Sequence, residues 1–294
     1  MRAKPFLKWA GGKTQLIDQI KEKLPKSIFS MIQGVQKEVS KWLVTHECIE
    51  SVGFTGSFKG GKDIFDLCAS RPKPIPVFAE MGSINPVVFL PKALKNRHEA
   101  LAKTYAASIT RGTGQFCTNP GLLLGIKGEE MDEFISNLSN EIIKIDPSCM
   151  LHPNILNAYS KNKEVALSQS GLQVIANYDA SVQNNYAKQA VTKVEGKTFL
   201  DNTALHQEVF GPYSMVVECD DAEELQHVIS KLEGQLTGTI IAEDDELNNY
   251  TNIISALQNR VGRLIFNGVP TGVEVCQSMV HGGPYPASTD SRFT

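Results

Sequence analysis

The sequence predicts an α/β chain assembled from parallel βαβ units. Three observations carry that expectation. Short apolar runs of strand length alternate with helical stretches from about Ile28 onward. The order β, α, β, α, β recurs between 213 and 267. Of the 294 residues, 41% are apolar and 21% charged, which supplies a packed core. Strands separated by helices of this length cannot be joined as hairpins and pair in parallel.

Each element rests on its own pattern. Thr14 to Leu24 reads as a helix, with Leu16, Ile17, Ile20 and Leu24 at helical spacing, Thr14 as N-cap and Pro25 ending it. Ile28 to Gln33 reads as a buried strand, Lys37 to His46 as a helix and Glu50 to Thr55 as a strand. Phe58 to Ser70 reads as a helix capped by Ser57, and Ile75 to Glu80 as a further strand. Pro86 to Pro91 opens another strand, followed by helices over Lys92 to Ile109 and Glu129 to Ile145. Later come Tyr213 to Cys219, Ala222 to Leu232, Thr237 to Ala242, Leu247 to Asn259 and Gly262 to Asn267. The segment from Val269 to Thr294 is rich in Gly, Pro, Ser and Thr and reads as a loop.

Charge and cysteine usage narrow the function classes. A net charge of −3 lacks the basic face that nucleic-acid binding needs. The apolar runs, such as Val87 to Leu90 and Leu122 to Leu124, are too short to span a bilayer. Met1 to Lys13 is basic but no apolar core follows, so it is not a secretory signal. The 6 cysteines include no CxxC pair and read as reduced thiols of a cytoplasmic protein. No histidine shows metal-ligand spacing; His46, His98, His152, His206, His227 and His281 all read as structural or surface residues. Cys48, Cys68, Cys149, Cys219 and Cys276 lie in apolar or helical contexts and read as inert.

Four segments carry chemistry. In Phe54-Thr55-Gly56-Ser57-Phe58-Lys59-Gly60-Gly61 a strand enters a Gly-rich turn and opens a helix, whose N–H groups suit a phosphate. An ordinary βα turn is the alternative. In Val77-Phe78-Ala79-Glu80-Met81-Gly82-Ser83 a carboxylate ends a buried strand, where α/β folds place ligands; burial makes it a usable base. A surface Glu at a strand end is the alternative. In Gly112-Thr113-Gly114-Gln115-Phe116-Cys117-Thr118-Asn119-Pro120-Gly121 a thiol sits on a tight, irregular backbone that can aim N–H groups at an oxyanion. A thiolate suits carbonyl chemistry because it attacks well and leaves well from a thioester; a buried structural thiol is the alternative. Glu208-Val209-Phe210-Gly211-Pro212 pairs a carboxylate and an aromatic before a turn, or is simply that turn.

In this order the four segments resemble the aldehyde dehydrogenase superfamily, over about Ile28 to Thr294, roughly nine-tenths of the chain. FTGSFKGG resembles the family's pyrophosphate turn, AEMGS its general-base segment, GTGQFCTNPG its catalytic-cysteine segment and HQEVFGP its nicotinamide segment. RPKPIPVFAEMGSINPVVFLP and HGGPYPASTDSRFT look closest to the branch that oxidises 2-oxoglutarate semialdehyde, also called 2,5-dioxovalerate.

The resemblance implies an α/β fold with a partial Rossmann-type cofactor domain and an α/β catalytic domain. Its boundaries would be a leader over 1–26, a cofactor-domain remnant over 27–84, a thiol domain over 85–268 and a C-terminal loop segment over 269–294. It implies NAD or NADP as cofactor and a small aldehyde as substrate. Cys117 would attack the aldehyde to give a thiohemiacetal, hydride would pass to the nicotinamide, and Glu80 would activate the water that hydrolyses the thioester. The backbone N–H of Cys117 would donate to the oxyanion. Gly56 and Ser57 would lie at the pyrophosphate, Glu208 at the nicotinamide ribose, Phe210 against the ring, and Asn267 just before the substrate-facing loop. The family is homo-oligomeric, and its pairing elements are incomplete in this sequence.

Two departures qualify that expectation. No counterpart of the family's Pro-Trp-Asn-Phe segment, which carries the second oxyanion donor, occurs in the sequence, so a truncated dehydrogenase without activity is a competing expectation. Pro5-Phe6-Leu7-Lys8-Trp9-Ala10-Gly11-Gly12-Lys13-Thr14 instead resembles the opening of Dam-like N6-adenine DNA methyltransferases, with Trp9 and Lys13 at the positions that touch S-adenosylmethionine. That family's later Asp-Pro-Pro-Tyr segment is absent, which speaks against methyl transfer. The Gly-Gly-Lys-Thr string is not a P-loop, because the first glycine of that motif would fall at Leu7. The seam between the two resemblances lies near Lys26 or Ser27.

Overall fold

A computed structural model describes residues 7–8, 37–272, 279 and 281–290. The expected helix over Thr14 to Leu24, the expected strand over Ile28 to Gln33, Trp9, Lys13 and Cys276 lie outside the described residues.

A three-stranded parallel sheet comes first, ordered β1 (Leu7–Lys8), β2 (Val52–Thr55), β3 (Val77–Glu80). Helix α1 (Lys37–Thr45) precedes β2 and α2 (Phe58–Ala69) joins β2 to β3. Ser57 caps α2, its hydroxyl oxygen accepting the Gly60 N–H at 3.3 Å. Val44, Val52, Ile64, Cys68, Val77, Ala79 and Met81 form a small core between helices and sheet.

The larger sheet contains β4 (Pro86–Phe89), β5 (Leu122–Ile126), β7 (Gln173–Asn177), β9 (Ala190–Glu195), β10 (Tyr213–Cys219), β11 (Gln235–Ile241) and β12 (Val261–Phe266). Their order is β12-β11-β4-β5-β10-β9-β7, parallel except for β7, which runs antiparallel at one edge. Helices cover both faces, so the central strands are buried on both sides and read as unbroken apolar runs. Successive residues feed opposite cores. Val88, Leu122, Leu124, Met215 and Val217 face α7 (Ala222–Lys231) and α8 (Thr251–Gln258). Val87, Phe89, Leu123 and Val216 face α3 (Pro91–Thr110) and α4 (Glu129–Ile142). Phe89 anchors that second core, its ring 5.0 Å from Tyr105 and 4.5 Å from Phe134. No helix among the described residues is long and apolar enough to cross a membrane.

Three expectations need correction. The segment read as a loop after Val269 does more than connect: Ser288 bridges Glu80 in antiparallel fashion and Thr289 N–H donates to the Ala79 carbonyl at 2.9 Å. That segment therefore lies along the outer edge of β3. Cys48 and Cys149 are exposed, not enclosed in apolar surroundings. Cys68 and Cys219 are buried, and burial pushes both thiols up, consistent with inertness. Finally, residues 146–212, in which sequence pattern marked one motif alone, hold α5 (Pro153–Leu167), α6 (Gly196–Asp201), β7, β9 and a two-stranded ribbon of β6 (Ser148–Cys149) and β8 (Tyr186–Ala187).

Candidate active site

The thiol loop joins α3 to β5. Its first turn, Arg111–Gly114, carries three consecutive left-handed residues: Gly112 (φ 55), Thr113 (φ 60) and Gly114 (φ 66). Glycine tolerates this at positions 112 and 114, whereas Thr113 must be held there. Its hydroxyl lies 2.6 Å from the Ser148 hydroxyl and donates to the Cys149 carbonyl at 3.2 Å, tying the turn to β6. Gly114 packs directly on the Gly211 and Pro212 backbone, where a side chain would collide. The Gly-x-Gly before the thiol and the Gly-Pro after Phe210 are thus two halves of one close contact.

The other side of the loop hangs on Asn85, which is buried between β3 and β4 with φ 46. Its Nδ2 donates to the Cys117 and Asn119 carbonyls, both at 2.9 Å, and its Oδ1 accepts from the Thr237 hydroxyl at 2.9 Å. One buried amide therefore sets where the thiol stands relative to two strands.

Three reactive groups converge there. Cys117 Sγ lies 3.0 Å from His281 Nε2, and that nitrogen lies 3.6 Å from Glu80 Oε2. Sulfur, ring nitrogen and carboxylate oxygen are all within 4.8 Å of one another. Glu80 is 7% exposed, while Cys117 and His281 are half-buried and reachable. The arrangement can hold a thiolate beside a proton acceptor, with a carboxylate ready to take a proton from water. His281 is a correction to the sequence reading, which placed it among structural or surface residues. Its only local signal was the glycine-rich string that follows it.

The predicted cofactor residues fall around this cluster. Gly56 donates its N–H to the Glu80 carbonyl at 3.1 Å, so the turn opening α2 adjoins Glu80. Glu208 packs on Gly82, where a Cβ would come within 2.6 Å of its Oε2, and it accepts the Ser83 N–H. Burial, with the Glu80 charge adding to it, pushes the Glu208 carboxyl up to about 7. Phe210 and Glu208 line one small cavity together with Ser83, Asn119, Leu205 and Tyr213. Asn267 is the predicted site residue that the structure does not bring in. It lies just past the far end of β12, where its amide brackets Ala242: Oδ1 accepts the Ala242 N–H at 3.0 Å and Nδ2 donates to the Ala242 carbonyl at 2.9 Å. Its role there is structural, fixing the exit of β11.

Sequence pattern also missed Arg263. It stands opposite Thr237 in the β11–β12 register, so it shares the face from which Thr237 reaches Asn85. Its Nε and Nη2 are buried and have no hydrogen-bond partner among the described residues. Burial pulls the guanidinium down, and the nearby Cys117 thiol offsets that.

The Glu208 carboxyl predicts a pH effect. Its folded value lies above the ordinary 4.5, so the folded chain binds more protons than the unfolded one between about pH 4.5 and 7. Stability should therefore fall as pH rises through that window, by up to about 3 kcal/mol, and then level off. Thermal melting from pH 5 to 8 should show that slope, and Glu208→Gln should flatten it. An unchanged slope in the variant would assign it to other groups.

The fold and the thiol site together define a class. The aldehyde dehydrogenase family model matches residues 9–286, and the chain belongs to that family. It is 42% identical over 272 residues to an alpha-ketoglutaric semialdehyde dehydrogenase of Acinetobacter baylyi, covering 92% of this chain and 51% of the relative. It is 40% identical over 271 residues to alpha-ketoglutaric semialdehyde dehydrogenase 2 of Azospirillum brasilense, covering 92% of this chain and 52% of the relative. The chain thus spans about half the length of the curated relatives it matches. Among solved structures it resembles a double mutant of betaine aldehyde dehydrogenase from Staphylococcus aureus, solved with NAD+, with a TM-score of 0.78, 18% identity, and coverage of 93% of this chain and 55% of that one. This last likeness is one of fold.

Proposed function

We propose that Cys117 is the nucleophile of an NAD(P)-dependent oxidation of 2-oxoglutarate semialdehyde to the corresponding acid. The observation that carries this reading is the convergence of thiol, imidazole and carboxylate within 4.8 Å on a loop held by Asn85. His281 takes the thiol proton across 3.0 Å, and the thiolate adds to the aldehyde carbon. The resulting thiohemiacetal keeps its oxygen near the Cys117 backbone N–H. A nicotinamide cofactor held by Gly56, Ser57 and Phe210 would supply the hydride acceptor for oxidation of this adduct to the thioester. Glu80 then removes a proton from water as it attacks the thioester carbonyl, and the Cys117 thiolate leaves.

The cofactor residues fit in part. The first turn of α2 carries no acidic side chain to oppose a phosphate, so Gly56 and Ser57 suit the pyrophosphate. Phe210 lines the small cavity shared with Glu208 and Ser83 and offers a flat ring an aromatic wall. Glu208 is folded inward onto Ser83, and holding a ribose requires that it leave that contact.

Relatives named for alpha-ketoglutaric semialdehyde support an anionic substrate, and Arg263 offers two buried nitrogens in need of an acceptor. Arg263→Leu should raise KM for the carboxylate-bearing semialdehyde by about tenfold or more while sparing a neutral aldehyde of the same length. Equal effects on both would remove Arg263 from substrate recognition. The primary test is reduced-nicotinamide formation with NAD and with NADP, accompanied by calorimetric titration of each cofactor. A second reading, thiol-dependent hydrolysis without redox, is favoured by the direct imidazole–thiol contact, which needs no cofactor. Ester hydrolysis in the absence of cofactor binding would select it.

A further inference from the structure

We propose that Cys117, His281 and Glu80 form a reversible binding site for a thiophilic divalent cation, Zn2+ in the first instance, which silences the thiol while bound. The site goes beyond the dehydrogenase reading and does not depend on it.

The donor set is one that zinc favours: a thiolate sulfur, an imidazole nitrogen and a carboxylate oxygen. Zinc–ligand bonds of about 2.0 to 2.3 Å in tetrahedral geometry place ligand atoms about 3.3 to 3.6 Å apart. His281 Nε2 and Glu80 Oε2 already stand at 3.6 Å. The sulfur and Nε2, at 3.0 Å, need only open slightly, and the carboxylate oxygen starts within 4.8 Å of the sulfur. These are side-chain adjustments that leave the backbone in place. The half-buried Cys117 and His281 provide an entry path, and the fourth position is left to solvent.

The backbone holds the three donors in advance. Glu80 ends β3 and bridges Ser288. The segment bearing His281 is pinned by Thr289, whose N–H meets the Ala79 carbonyl and whose hydroxyl donates to the Val77 carbonyl at 2.6 Å. Ser288 closes the strap, accepting the Gly283 N–H at 2.9 Å. Cys117 is fixed through Asn85. A cation would thus meet donors whose ordering cost has already been met in folding. The donors also suit a cation in charge: Glu80 and the bound thiolate supply negative charge at the site, set against the nearby Arg263 guanidinium. Binding exchanges the thiol proton for the metal, so one proton is released per Cys117–metal bond and no electron is transferred.

Co2+ is the probe, because thiolate coordination gives an intense near-ultraviolet charge-transfer band and a tetrahedral set gives strong visible bands. The purified full chain, kept reduced with a phosphine, should develop both bands at one equivalent, and Zn2+ should bleach them stoichiometrically. Cys117→Ser should lose the charge-transfer band. His281→Ala and Glu80→Gln should each weaken binding by at least about tenfold while circular dichroism remains unchanged. A band that persists in Cys117→Ser would place the metal on another thiol, such as exposed Cys48 or Cys149, and overturn the proposal. Undiminished affinity in both His281→Ala and Glu80→Gln would overturn it equally, whatever the dehydrogenase assay shows.

Discussion

Cys117→Ala is expected to lower reduced-nicotinamide formation by at least about 10³-fold, with little change in stability. The thiol is the only group at the cluster able to form the covalent adduct, and a nucleophile that acts with a base as one unit cannot be partly replaced. Alanine removes one sulfur from a half-buried position, and the loop, whose Cys117 carbonyl is held by Asn85, should keep its shape. Glu80→Gln separates the two halves of the reaction. It should still allow acylation, giving a burst near one equivalent of product followed by slow turnover, because the amide cannot take a proton from water. Turnover in Cys117→Ala above a tenth of the starting rate would end the assignment of the nucleophile.

Asn85→Ala is expected to cost about 3 kcal/mol or more in urea-induced unfolding and to cripple the site at the same time. The substitution strips the donor from two backbone carbonyls and the acceptor from the Thr237 hydroxyl, two of these bonds being buried and the one to Cys117 partly so. It also leaves a β-carbon at φ 46, where only Asn, Asp or Gly sits cheaply. Asn85→Gly is the control. It relieves the backbone term, about 1 kcal/mol, and leaves the lost hydrogen bonds exposed to measurement. If both variants unfold at the wild-type urea midpoint, the amide does not hold the loop.

The parts of this molecule that were legible in its sequence are those whose signal is local. Ser57 as a cap, the alternation of Val87, Val88 and Phe89, and the glycines around Thr113 each announce a backbone requirement within a few residues. Glu80 was legible as a carboxylate ending a strand. His281 was not, because its position is set by a pairing between residues about 200 apart in sequence, which no periodicity records. Arg263 likewise acquires meaning only through its register with Thr237. Helix α5 escaped notice because Tyr159 and Ala166 alone are buried along it, too few to show a stripe. Asn267 misled for the opposite reason: a polar residue at a strand end reads as a site, whereas its amide caps the neighbouring strand.

The antiparallel strap at Ser288 and Thr289 has a temporal consequence. Thr289 meets Val77 across 212 positions of sequence, so the contact forms only once the whole intervening segment has been synthesised. During translation the sulfur-bearing loop leaves the ribosome well before the imidazole that will attend it. A nascent chain therefore carries the Cys117 thiol before His281 can stand beside it.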